Sequence, residues 1–130
     1  ASLVVFNEQS MSFKQHFGFK EGDSLEIKAT KFLLGLAPTL KHSKYLIDRS
    51  KSNFKAKKAP SLPMGPYLCA GVAGTTALKI LLNRGELKCS PCVLHFDAYL
   101  QSYHKTHIFM GFNNPFQKIK FVILKKMLGI

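Results

Sequence analysis

Acidic residues are scarce: seven Asp and Glu stand against nineteen Lys and Arg in 130 residues, a formal net charge of +12. Such a surplus draws phosphate, RNA or anionic membrane toward a protein at low salt. Arginine is scarcer still, since Arg49 and Arg84 are the only two. Bidentate grip on phosphate or base edges leans on the Arg fork, whereas solvated Lys often does no more than keep a surface soluble. Nucleic acid is therefore not the expected partner. A free-standing basic module for RNA or anionic surfaces is the alternative reading.

Cysteine is also sparse. Three cysteines, with no signal peptide at the start, argue against a disulfide framework and for a reducing, cytoplasmic setting. The longest uncharged apolar stretch, Pro60 to Leu78, is interrupted by three Pro and three Gly, so no transmembrane helix is expected. No glycine-rich phosphate fingerprint occurs between a strand and a helix, because Gly71-Val72-Ala73-Gly74 falls within a helical pattern. Ala1 stands at the edge of an apolar run with no Met and no polar lead-in, which suggests a cut piece of a longer chain.

What is present reads as one α/β unit. Ser2 to Phe6 is a short apolar run with two β-branched residues, suited to a strand covered on both faces. Met11 to Phe17 reads as an aromatic connector. A helix then begins near Asp23 or Ser24, where Asp23 and Glu26 resemble a capping box. Leu25, Ala29, Phe32, Leu33 and Leu36 give it one apolar stripe, and Gly35 and Pro38 end it.

Residues 41–65 form a basic crossover segment, which leads through Pro60, Pro63 and Pro66 into a second helix, about Pro66 to Asn83. Thr75, Thr76 and Lys79 are its only clearly polar side chains, so near-complete burial is expected. Val93–Asp97 and His104–Phe109 read as antiparallel strands. A last helix spans 116–128, with Phe116, Ile119, Ile123 and Met127 on one face.

Several residues are candidates for chemistry. His42, Tyr45 and Asp48 recur every third position in the crossover, where they could touch an acceptor substrate or simply anchor the loop. Cys89 and Cys92, with His104 and His107, approach a two-Cys two-His zinc spacing. The two His are too close together and lie on a strand pattern, so a plain turn is preferred to zinc. Cys69, within an apolar helix, is expected to be buried and inert. Asp97 at a strand end reads as a turn cap before it reads as a base.

The run Pro66-Tyr67-Leu68-Cys69-Ala70-Gly71-Val72-Ala73-Gly74-Thr75-Thr76-Ala77-Leu78-Lys79-Ile80-Leu81-Leu82, followed by Leu94-His95-Phe96-Asp97, is similar to a stretch of ThiF-type adenylating proteins related to ubiquitin-activating enzymes. Leu34-Gly35-Leu36-Ala37-Pro38, Tyr45-Leu46-Ile47-Asp48 and Gly111 to Lys120 resemble a bacterial branch of that family in the same order. The resemblance implies the C-terminal part of a Rossmann-like ThiF-type domain, with helices on a small mixed, mostly antiparallel sheet. It implies a parent adenylyltransferase, a homodimer that uses ATP and Mg to activate a carboxylate, in many members the C-terminus of a ubiquitin-like protein. The ATP-binding motifs would lie in an N-terminal nucleotide-binding half upstream of Leu3, so no ATP-contacting or catalytic residue is assigned here.

Overall fold

The computed structural model describes residues 1–45 and 63–128. They form a mixed α/β arrangement of four α-helices and one three-stranded antiparallel sheet. The order is β1 (Ser2–Leu3), α1 (Phe13–Phe17), α2 (Leu25–Leu36), α3 (Met64–Leu81), β2 (Cys92–Asp97), β3 (Ser102–His107) and α4 (Pro115–Leu128). Single 3-10 turns at Lys41–Lys44 and Gly111–Asn113 join them.

Strand β2 is central. It pairs antiparallel with β1, Ser2 opposite His95, and with β3, His95 opposite His104. The apolar run at the start of the chain thus finds its partner close to the C-terminus. It continues as a single parallel bridge from Val5 to Cys89 rather than as a longer strand, and its residues are half-buried rather than covered on both faces.

Alternation along β2 divides the sheet into two unlike faces. Val93, His95 and Asp97 are buried, whereas Leu94 and Phe96 are only half-covered. The polar members of the strand therefore point to the protected side, toward α2 and the Lys41–Lys44 turn. Leu94 and Phe96 share the other side with Tyr103 and Lys105 of β3, both exposed.

The core sits where α1 and α2 meet the Cys89–Pro91 connection. The segment read as an aromatic connector is helix α1: Ser12 accepts from Gln15 N–H while Gln15 reaches back to Ser12, a reciprocal cap. Phe17 is 1% exposed and its ring packs against Phe13, Phe19 and Phe32. Gly35 lies inside α2 rather than ending it, and the position suits glycine because the Phe17 ring leaves no room for a side chain there. A Cβ at Gly35 would stand 2.5 Å from Phe17 Cε1.

Helix α2 is capped by Ser24, whose hydroxyl accepts from Ile27 N–H at 3.3 Å. Asp23 instead accepts from Lys20 N–H and from Lys31 Nζ, at 2.8 and 2.5 Å. Its buried face is Thr30, Lys31, Leu34 and Gly35, one step around from the stripe the sequence suggests. Leu25 and Phe32 of that stripe are exposed. Lys31 can be buried because its ammonium also donates to Gly18 O at 2.8 Å and lies 5.2 Å from the Phe112 ring centroid.

The largest departure is α3. The sequence predicts near-complete burial, yet no residue of this 18-residue helix is buried. Leu68, Val72 and Thr76, one turn apart, form a half-buried stripe beside β1, while Tyr67 and Leu81 are each 80% exposed. Cys69, expected to be buried, is exposed too. Helix α4 also leaves its apolar face bare: Phe116, Ile119, Ile123 and Met127 face outward, and Gln117, Lys120, Phe121 and Leu124 turn toward the rest of the molecule. Lys120 Nζ there donates to Pro38 O at 2.6 Å. Among the described residues no helix is long and apolar enough to cross a membrane.

Candidate functional site

The protected face of β2 gathers several ionisable side chains: His42, Tyr45, His95 and Asp97. Asp97, the last residue of β2, is 5% exposed. Its Oδ1 accepts from Leu100 N–H at 3.0 Å, which caps the β2–β3 turn, and its Oδ2 accepts from the Tyr45 hydroxyl at 2.9 Å. Burial works to raise the Asp97 pKa, but these two bonds and the neighbouring His95 outweigh it and hold the carboxyl below the usual range. Burial and the bond to Asp97 push Tyr45 up to about 12, so at neutral pH this hydroxyl keeps its proton and donates.

Two residues before Asp97, His95 lies on the same strand face. Its Nδ1 is 2.7 Å from Ser2 Oγ, and its Nε2 is 3.8 Å from Asp97 Oδ2. The order Ser2, His95, Asp97 has the outline of a nucleophilic triad. The Asp97 distance is too long for the hydrogen bond that would orient the ring, and the Asp97 oxygens are engaged by Leu100 and Tyr45. No activated nucleophile results. Burial lowers the pKa of His95 and also that of His42, in the Lys41–Lys44 turn, despite the pull of Asp97 on both. Near neutrality the group is one carboxylate held by a tyrosine, with two neutral imidazoles beside it.

Of the candidate acceptor residues, His42 and Tyr45 are brought to this face, and Asp48 lies outside the described residues. The crossover beyond Tyr45 belongs to the same undescribed stretch, residues 46–62. Nothing in the sequence alone puts functional weight on His95. The signal it does carry is the i, i+2 spacing of His95 and Asp97 on one strand, which sends two ionisable groups to a single face.

Cys89 and Cys92 form the ends of a turn in which Cys92 N–H donates to Cys89 O at 2.9 Å, and both thiols are free. His107 pairs with Cys92 across the β2–β3 ladder. His104 instead faces Lys41, whose Nζ is 3.0 Å from its Nε2. Among the described residues no three His, Cys, Asp or Glu side chains are grouped to hold a metal ion. Gly71-Val72-Ala73-Gly74 lies within α3, so its backbone N–H groups are committed to the helix and offer no phosphate loop.

A second buried histidine lies outside this group. His16 is 1% exposed; its Nε2 donates to Gly35 O at 3.2 Å, which leaves Nδ1 to accept from Ser90 Oγ at 2.8 Å. It ties α1, α2 and the Cys89–Pro91 connection together.

No family model, curated protein or solved structure matches the chain.

Proposed function

We propose that this chain is the C-terminal portion of a ThiF-type adenylating domain, in a cytoplasmic parent enzyme that forms an acyl-adenylate. In that reaction a substrate carboxylate oxygen attacks the α-phosphorus of ATP and pyrophosphate leaves. The carboxylate would be the C-terminus of a ubiquitin-like protein or a small acid. The upstream half would supply the ATP and Mg sites, and this portion would shape the acceptor side through the crossover and the Asp97 face. A homodimer is the expected assembly.

The observation that carries the reading is α3. An 18-residue apolar helix with only a half-buried stripe, and with nothing among the described residues near Gly71 and Gly74, has the make-up of a core element that another body would cover. The ordered resemblance along the sequence names the domain that would cover it. The outward apolar face of α4 adds to the same support.

The test is a pyrophosphate-exchange assay with ATP and Mg, on this chain alone, on the upstream half alone and on both mixed. Exchange only in the mixture is the expected result. Exchange by this chain alone would place the active site within these residues and overturn the reading. A steep loss of RNA affinity with rising salt, in a chain that never supports exchange, would favour the basic binding module instead.

A further inference from the structure

Between α3 and the less covered face of the sheet lies a cavity of about 180 Å³. Thr76 and Lys79 of α3 form one wall, Glu86 and Lys88 the rim, and Tyr103 and Lys105 of β3 the opposite wall. Val5 and Leu94 supply an apolar floor. Three ammonium groups thus converge on a space that contains one carboxylate.

The charge is not balanced internally. Lys88 pairs with the Glu86 carboxylate. Among the described residues Lys79 Nζ donates to the neutral Glu86 backbone oxygen, at 3.3 Å, and Lys105 Nζ stands over the Tyr103 ring, 5.6 Å from its centroid. Among the described residues neither Lys79 nor Lys105 has a carboxylate within ion-pair distance. The pair with Lys88 first, and then the fields of Lys105 and Lys79, hold the Glu86 carboxyl below its usual range, so all three cations act on the same point.

We propose that this cavity binds a small molecule bearing a phosphomonoester, with the dianion between Lys79, Lys88 and Lys105 and an apolar or planar body against Tyr103 and Leu94. Two surplus positive charges match a dianion, and three flexible ammonium donors match its oxygens. Glu86 occupies part of the place such a group would take, and so competes with it. The proposal is independent of the adenylating reading, because the site needs no Mg and performs no exchange.

Calorimetry on the full chain at about 150 mM salt, where long-range attraction is screened, tests it with inorganic phosphate and phenyl phosphate as probes. Saturable binding of both is expected, tighter for phenyl phosphate. Lys79→Met and Lys105→Met should each weaken it about tenfold, the value of one charge-assisted hydrogen bond. Glu86→Gln should strengthen it. Lys118→Met and Lys126→Met on α4 should leave it unchanged. All five positions are exposed, and thermal melts of each variant confirm that folding is intact. Absence of saturable binding, or equal weakening by the α4 variants, overturns the proposal.

Discussion

The Tyr45 hydroxyl donates to Asp97 Oδ2 at 2.9 Å across 52 residues of chain, fastening the start of the crossover to the end of the central strand. The Tyr45 ring also packs against Tyr99 just beyond the strand, 4.8 Å between centroids, so the hydrogen bond is the polar part of this fastening. Tyr45→Phe removes the donor and leaves a buried carboxylate with one bond fewer. A loss of about 1–2 kcal/mol is expected in urea unfolding, together with a rise in the Asp97 pKa. An unchanged midpoint would show that the crossover is held elsewhere.

Stability should fall as pH drops below about 6.5. His16, His42 and His95 all have folded pKa values below the free value, so in this range the unfolded chain takes up protons that the folded chain refuses. The contribution is fully present above 6.5 and is lost as pH falls toward the folded values, by up to about 1.4 kcal/mol per pH unit for each His. Asp23 and Asp97, also lowered, add their loss only as pH falls through the ordinary carboxylate range and beyond it. Urea midpoints at pH 7.5 and 5.5 read the slope, and His16→Gln should flatten it.

Gly35→Ala should destabilise by about 1–3 kcal/mol, since the added methyl overlaps the Phe17 ring in a filled core. Pairing it with Phe17→Leu should recover part of that loss. A double variant no better than Gly35→Ala alone would mean that the clash is not with this ring.

Gly74→Leu separates the chain from the assembly. Among the described residues nothing lies within 4 Å of a Cβ at Gly74, so the isolated chain should melt no lower, and a helix gains by losing its glycine. If α3 is covered by another half or subunit, the same change should weaken that association by overpacking. Co-purification with the upstream half, compared for Gly74→Leu and the unaltered chain, reads the difference.

The β2–β3 hairpin was legible because short β-rich segments bounded by turn residues leave few other readings. Helix α2 was legible in place and extent but not in its buried side. Leu25 and Phe32 look like core, whereas the structure buries Thr30 and Lys31, which Glu26 O and Asp23 satisfy. Hydrophobicity alone cannot anticipate such partners. Helix α1 escaped notice because five residues are too few for a periodic signal, although Ser12 and Gln15 held its cap in plain view.

The candidate site was half legible. Tyr45 and His42 stand out in the sequence, and an Asp at a strand end suggests the turn cap that Asp97 makes, with Leu100 N–H on its Oδ1. What the sequence could not supply was the joining of these positions, because register decides which residues share a face. The Ser2 and His95 pairing follows from the β1–β2 register alone.

The bare flank of α3 also bears on how long the molecule survives. Chaperones and proteases act on apolar surface that folded proteins normally hide, and this helix presents Tyr67, Leu78, Ile80 and Leu81 to them. While that surface stays open, the chain resembles an orphan subunit to the machinery that clears orphans. If another half or subunit covers the helix, the abundance of the chain in a cell should follow the supply of that cover more closely than its own rate of synthesis.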